Sequence, residues 1–505
     1  MRPAAFHFEG NSVFDEKTLA ALLANRVDRP TDLAGLIEAA SAVSQYYRTQ
    51  GYLLTEAYLP EQAFQAAGGT VTIAVIEARV GRVQVQIDGE SGSASYARRV
   101  VHANLQSGAL ISEYLLDKPV LLLRDLAGVH ATATVEPGQK PGQADVTVTV
   151  RSQGLAVDGS VGMDNFGARA AGPLHVSGNL NVGNLLGTGD VFSARAQLSD
   201  ASRSQLYRLA YALPVDTSGT RLTLSAARTD YALGEPFTAL GATGQAEVLG
   251  LALTRPLIRA REANVYGLLD LEDKKFSDQL TTPVNESDRR IVAARVGLLG
   301  NFTDELAGSG AASSYAVTGT LGRTRLDALS LGFDQGPGGF RTAGGFGKLN
   351  LEFQRAQFFN NPSSIHMNLQ AQMASRNLAS AEKMALGGPN GVRSYPVGEG
   401  IGDAGLLFNF EYRYQLSALV ALAGERVSLA VFYDYGTVRV NQDDSALPGG
   451  TNRVSLGAVG VGALAGRVNN FLITTYLAWR TTRSTPFTGE PDRSPRAWVS
   501  AQKWF

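Results

Sequence analysis

From about residue 154 to the end of the chain, apolar and polar side chains alternate in segments of about ten residues, separated by Gly, Asn, Asp and Pro. Leu406, Phe408, Phe410, Tyr412 and Tyr414 share one face of such a segment, and Leu407, Asn409, Glu411, Arg413 and Gln415 the other. Val427, Leu429, Val431 and Tyr433 oppose Ser428, Ala430, Phe432 and Asp434. Phe471, Ile473, Thr475, Leu477 and Trp479 oppose Leu472, Thr474, Tyr476, Ala478 and Arg480. Period two is the period of a strand, and one apolar with one polar face suits a sheet between unlike environments. A soluble β protein would hide its apolar faces inside, whereas a membrane barrel turns them outward and keeps its lumen polar. Three features favour the barrel: an even count of sixteen candidate strands between Leu155 and Phe505, aromatics near strand ends, and a final Lys503-Trp504-Phe505. Closure also removes the edges that so many strands would leave unpaired.

The first 150 residues follow another rhythm. A short strand at 5–9 ends at Gly10-Asn11, and Asp15 caps a helix through Leu19, Leu22 and Leu23. Thr31 or Asp32 caps a second helix, with Leu33, Leu36, Ile37, Ala40, Val43 and Tyr47 on one face and Gly51 as its stop. Strands follow at Leu53–Leu59 and Val71–Glu77. The same β-α-α-β-β order then returns: a strand at Arg82–Ile87, helices near Ser95–Leu105 and Glu113–Leu126, and strands at Val129–Val135 and Asp145–Arg151. Two tandem α+β modules, residues 1–78 and 79–153, are expected ahead of a barrel over 154–505.

Composition excludes much. Lys+Arg number 45 against 46 Asp+Glu, a balance that gives no support for a nucleic-acid footprint, which needs a basic patch or stripe. With no cysteine there is no thiolate nucleophile or Cys-ligated zinc, and none of the five His has another four residues away. No window of 18 apolar residues forms a membrane helix. Met1-Arg2-Pro3 runs straight into Phe6-His7-Phe8 without a leader peptide, as in a trimmed mature chain, although a cytoplasmic protein reads the same at this end. Gly400-Ile401-Gly402-Asp403-Ala404-Gly405 matches a dinucleotide pattern, but it opens a strand where that chemistry needs a helix. Gly460 and Gly462 lie inside a strand, where small residues leave lumen space or let backbones approach. No G-x-S-x-G elbow is present. The expectation is a chain without enzymatic activity, cofactor or metal.

Several short motifs, taken in order, resemble one family. Phe8-Glu9-Gly10-Asn11 is similar to the opening signature of a POTRA module; Tyr46-Tyr47, Gly51-Tyr52, Leu59-Pro60-Glu61-Gln62 and Val75-Ile76-Glu77 continue it. Asp164-Asn165 and Asn184-Leu185-Leu186-Gly187-Thr188-Gly189-Asp190 resemble the opening of the family's barrel. Gly391-Val392-Arg393-Ser394-Tyr395-Pro396 resembles the tip of its long sixth external loop, with Ser394 where Gly is usual. Phe432-Tyr433-Asp434-Tyr435-Gly436 resembles the matching wall motif. The chain thus resembles the outer-membrane transporters of two-partner secretion, the hemolysin-activation and adhesin-secretion family.

That resemblance implies two tandem α+β POTRA modules in the periplasm of a Gram-negative cell, followed by a 16-stranded antiparallel transmembrane β-barrel. It implies that the loop, about 378–404, folds into the lumen and that Arg393 pairs with acidic wall residues. Alternation points Asp434 and Glu411 inward, which makes them the candidate partners. The implied function is capture of an unfolded exoprotein by the modules and its passage through the barrel to the cell surface. Residues 31–59 are the natural capture surface, by strand addition or in a groove beside a helix. The implied partners are an exoprotein with an N-terminal secretion domain and outer-membrane lipid, around a monomeric barrel. Membrane-protein assembly and insertion is the alternative within the broader superfamily. A diffusion porin is a third reading, and porins lack modules like those in residues 1–150.

Overall fold

In the N-terminal region the helices begin where a side-chain oxygen takes up free amides. Asp15 accepts from the Thr18 amide (2.8 Å) and Asp32 from the Gly35 amide (2.9 Å), opening α1 (Glu16–Leu22) and α2 (Leu33–Thr49). The computed structural model describes residues 1–63, 68–89, 94–152, 154–282, 284–417, 421–422, 424–445, 450–482 and 493–505. Residue 153, the expected end of the second module, lies outside that set. The chain divides into two compact units: Met1–Gly154 with the short segments Leu186–Gly189 and Arg259–Arg261, and the remainder.

In the first unit, β1 (Pro3–Glu9), β2 (Glu56–Tyr58) and β3 (Gly69–Ile76) form a sheet in the order β1-β3-β2, parallel on one side of β3 and antiparallel on the other. The second half repeats this with β4 (Arg79–Gly89), β5 (Val129–Pro137) and β6 (Gln143–Ser152) in the order β4-β6-β5. Its helices are α3 (Ala94–Asn104) and α4 (Glu113–Arg124). Each half has its own apolar core, one around Leu19, Val43, Tyr47 and Ile73, the other around Val80, Ala97, Leu123 and Val146.

Two expectations need correction. The strand expected at Leu53–Leu59 shortens to Glu56–Tyr58: at its start the Thr55 amide turns back to the Tyr52 carbonyl (3.2 Å), and at its end Pro60 has no amide to continue the ladder. Beyond it the Gln62 side chain takes over, accepting from the Thr72 amide (2.9 Å) and donating to the Thr72 carbonyl (2.7 Å). On α2 the buried stripe is Leu36, Ala39, Ala40, Val43, Ser44 and Tyr47, whereas Leu33 and Ile37 are 61% and 54% exposed. The apolar arc is wider than the sheet beneath it can cover.

The second unit is a closed barrel of sixteen antiparallel strands, running from Ala156–Asp164 to Arg496–Trp504. Ser160–Asp164 pair with Ser500–Trp504, which joins the last strand to the first. Alternation carries through: Leu429, Val431 and Tyr433 are exposed on the outer face, while Ala430, Phe432 and Asp434 are buried on the inner. No helix among the described residues is long and apolar enough to cross a membrane; the strands are the spanning elements. After the eleventh strand (Ser363–Ala374) the chain makes a hairpin, in which Met384–Ala385 pair with Ile401–Gly402, before the twelfth strand (Ala404–Gln415) begins.

Glu77 organises the first module. Its buried carboxylate accepts from the Ser12 amide (2.7 Å), the Val13 amide (2.9 Å), the Tyr47 hydroxyl (2.9 Å) and the Ser12 hydroxyl. Burial pushes this carboxyl up, but the hydrogen bonds outweigh it and hold the group below the usual carboxylate range. A lowered folded pKa means stabilisation that is complete above the unfolded carboxylate pKa and is lost as pH falls through the folded value. Glu77→Gln should therefore destabilise the first module by about 1–3 kcal/mol at neutral pH. It should also flatten the loss of stability on acidification. Hydrogen exchange over residues 1–77 of the intact chain, measured from pH 7 downward, reads both effects.

Candidate functional site

The hairpin tip is built on close backbone approach. The Val392 amide donates to the Leu386 carbonyl (2.7 Å) and the Tyr395 amide to the Val392 carbonyl (3.0 Å). A Cβ on Gly391 would overlap the Leu386 carbonyl oxygen, so only glycine fits there. Val392 is fully buried among Leu386, Leu407, Val438 and Leu456. Gly436 leaves the space that Leu386 fills; a Cβ there would stand 2.7 Å from Leu386 Cδ2. Ser394 is buried, donates to the Gly457 carbonyl (3.3 Å) and has no positive φ, so this tip does not require the family's usual glycine at that position. Tyr395 is wholly buried, with its hydroxyl 2.8 Å from Thr482 Oγ1.

These contacts deliver Arg393 into a charged pocket of the wall. Its Nε and Nη2 donate to the two oxygens of Asp434 (2.9 and 2.8 Å), and Nη1 donates to Glu411 Oε2 (2.5 Å). Its own amide also donates to Asp434 (3.1 Å), and its carbonyl accepts from Trp498 Nε1 (2.7 Å). Asn409 Nδ2 bridges Asp434 (2.9 Å) and the Gly391 carbonyl (2.8 Å). Arg413 donates to the other Glu411 oxygen (2.6 Å), so two guanidinium groups face two carboxylates. The guanidinium carbon of Arg393 lies 3.4 Å from the centre of the Phe432 ring and 4.6 Å from that of Tyr476. The cross-strand neighbours of those rings are Gly460 and Gly462, whose missing side chains give the rings room. A cavity of about 740 Å³ opens beside Arg393, bordered by Asn368, Glu411 and Arg413.

The root of the hairpin has its own charge set, which no sequence motif marks. Glu382, almost fully buried, stands between Lys274 (2.9 Å) and Lys348 (2.8 Å). Lys383 pairs with Asp403 (3.1 Å), and Gln372 donates to the carbonyls of Glu382 (3.2 Å) and Asp403 (3.1 Å). Parity turns Lys274 and Lys348 inward, but no local pattern ties them to Glu382. Tyr476 was legible as inward-facing; its stacking on Arg393 was not.

The module signature residues serve local architecture. Gly10 has φ +85 against the Val75 carbonyl, and Asn11 donates to the Phe14 carbonyl (2.9 Å). Gly51 ends α2 at φ +86, and the Tyr52 ring stands edge-on to Phe14. Gln62 closes the sheet edge beyond β2. Among the described residues no group of acidic or His side chains could hold a metal ion.

A closed barrel with an apolar exterior and a hairpin pinned across its lumen, preceded by tandem α+β modules, defines a pore-forming membrane transporter. The family described as haemolysin secretion/activation protein ShlB/FhaC/HecB matches residues 142–463, and the ShlB-type POTRA domain matches residues 2–78. The chain belongs to this haemolysin secretion/activation family. It is 25% identical over 466 residues to the heme/hemopexin transporter protein HuxB of Haemophilus influenzae, covering 91% of this chain and 80% of that protein. It is 23% identical over 448 residues to the outer membrane transporter CdiB of Dickeya dadantii, covering 87% and 76%. The structure of CdiB from Escherichia coli shares the fold, with TM-score 0.74 at 19% identity, over 100% of this chain and 90% of that one.

The protein is accordingly a two-partner secretion transporter of the outer membrane, with its POTRA modules in the periplasm, and not an enzyme. The modules recognise an unfolded exoprotein, and the barrel passes it to the cell surface. Neither the assembly-factor nor the porin reading is favoured.

Arg393 is a trypsin site hidden by this packing. Gly391→Ala and Asp434→Asn should each expose the Arg393–Ser394 bond in an otherwise folded barrel, whereas the parent resists. Digestion of heat-modifiable, detergent-solubilised protein reads the difference.

Proposed function

We propose that the Arg393 clamp is the working part of the transporter. It holds the loop in one position in the lumen, and passage of the exoprotein requires that position to be released and regained. The single observation that carries this reading is the shared engagement of Arg393 by Asp434 and Glu411. Removing one partner of a buried ion pair costs roughly 3–5 kcal/mol, less where lumen water relaxes the stranded charge. Lys could not reproduce the clamp, because one ammonium cannot present a planar fork to one carboxylate while reaching a second. Gly391, Val392 and Tyr395 position Arg393, and Phe432 and Gly436 shape the wall that receives it.

In the same proposal, residues 1–78 and 79–153 act as successive modules and 154–505 as the barrel. The exoprotein is bound through an N-terminal secretion domain. Exposed Leu33 and Ile37 on α2 supply an apolar contact, and the edge strand Glu56–Tyr58, whose Ala57 amide is held by Ser44 Oγ (2.8 Å), admits an added strand on exchange of that bond. Gly10, Asn11, Gly51, Tyr52 and Gln62 hold that module in shape. The barrel works as a monomer whose outer face is covered by outer-membrane lipid.

Arg393→Ala should lower secretion at least about tenfold with the barrel still assembled, and Arg393→Lys should restore little of it. Leu33→Ser with Ile37→Ser should instead leave the loop protected from trypsin while exoprotein accumulates in the periplasm. Exoprotein in the medium and in the periplasm, with heat-modifiable migration of the barrel, is the measurement; parental secretion by Arg393→Ala would overturn the proposal.

A further inference from the structure

The chain passes from the periplasmic modules into the first barrel strand, so odd-numbered strands run outward and even-numbered strands return. The seventh strand (Ala263–Thr281), eighth (Val284–Asp304) and ninth (Ala311–Leu326) are longer than the roughly ten residues that span a bilayer. On the outer face of the eighth strand, Val292, Ala294, Val296 and Leu298 form the apolar band. Directly beyond that band, on the external side, the pairing register places Lys275 opposite Arg290 and Arg290 opposite Arg325. One row nearer the membrane, Arg323 stands opposite Val292, and Asp273 stands on the other side of Val292.

Opposed side chains on one face of a sheet are about 5 Å apart, and like charges so placed repel. Here three cations stand in a line with a fourth beside them. Asp273 is committed to Arg290 by two hydrogen bonds (2.8 and 2.7 Å). Lys275, Arg323 and Arg325 make no ion pair or side-chain hydrogen bond among the described residues. Of the nearby carboxylates, Asp327 caps the Leu329 and Ser330 amides and accepts from the Asp288 amide. Glu247 accepts from Gln245 and stands 4.0 Å from Arg228. Asp288 takes part in no ion pair among the described residues.

Two adjoining depressions lie on this face. One, of about 460 Å³, is bordered by Lys275, Arg290 and Arg325. The other, of about 710 Å³, is bordered by Leu249, Leu271, Val292 and Leu321, and Arg325 borders both. Leu321 is 74% exposed. The lower depression is continuous with the lipid-facing band, and the upper one brings Lys275, Arg289, Arg290 and Arg325 against Glu247, Asp288 and Asp327 at the level where headgroups begin, with Lys275 and Arg325 in no ion pair among the described residues.

We propose that this outer face of strands six to nine (the sixth being Thr243–Arg259) is a binding site for a phosphorylated glycolipid of the outer leaflet. The phosphates lie against Lys275, Arg323 and Arg325, and the acyl chains lie along Leu249, Leu271 and Leu321. Arg is suited to this, because its fork meets two phosphate oxygens at once. A bound phosphate also gives Lys275, Arg323 and Arg325 the direct partner that none of them has among the described residues. The site rests on the chain's outer-membrane location, and it is independent of the loop clamp.

The test uses the full chain purified in detergent and titrated with diphosphorylated lipid A, with the same lipid dephosphorylated, and with inorganic phosphate. The diphosphorylated lipid should stay bound through gel filtration. The triple variant Lys275→Ser/Arg323→Gln/Arg325→Gln should bind it at least about tenfold more weakly. Arg325→Gln alone should give a partial loss, which keeps the test available if the triple variant assembles poorly. Arg255→Gln, which removes a cation near the periplasmic end of the sixth strand, should change nothing. Equal binding by parent and variants, or equal binding of the dephosphorylated lipid, would overturn the proposal. Displacement of the lipid by millimolar inorganic phosphate would likewise reject it, in favour of a site for free anions.

Discussion

In a hydrocarbon layer every backbone amide and carbonyl needs a partner from the protein itself, and a set of strands meets that demand only by closing on itself. The pairing of Ser160–Asp164 with Ser500–Trp504 completes the ring here. It joins residues more than three hundred positions apart over a short stretch, compared with the long ladder between Val427–Arg439 and Ala465–Arg453. Closure sets the chemistry of both faces: apolar side chains must face lipid, polar ones must face inward, and the interior becomes a wet space in which charged groups can be held.

The hairpin inside that space is fastened by position-specific chemistry rather than by bulk burial. At the tip, one guanidinium meets two carboxylates and two aromatic faces. At the root, one carboxylate meets two ammonium groups. Ion pairs of this kind add little net stability relative to apolar packing, yet they are strongly destabilising to break singly. They therefore select one position of the loop without committing the barrel's stability to it. That separation of placement from stability suits the release and return proposed for this loop.

A similar economy operates in the first module, where a single carboxylate gathers the free amides of Ser12 and Val13 and the Tyr47 hydroxyl. The segment after Gly10, the end of α2 and the end of the sheet are thereby fixed to one another. The motif glycines make the close approaches possible, and Glu77 makes them favourable. The uncovered Leu33 and Ile37 remain as the part of α2 that the module's own core does not use.

Most of the architecture was legible because it depends on local period and sign. Period two with an apolar face located the strands, and the caps Asp15 and Thr31 or Asp32 located the helices. The return of β-α-α-β-β revealed a second module. Parity alone turned Glu411, Phe432, Asp434 and Tyr476 inward, since a strand has only two faces. The extent of β2 and the exposure of Leu33 and Ile37 were not legible, because each depends on how far a neighbouring sheet reaches. The sequence by itself determined which side chains face the lumen and which residue types are available there. Only the tertiary structure decided that Arg393 meets Asp434 and Glu411, that Phe432 and Tyr476 lie over Gly460 and Gly462, and that Glu382 meets Lys274 and Lys348. Those meetings join residues from separate strands, and their geometry comes from the registers around the closed ring, which no local pattern encodes.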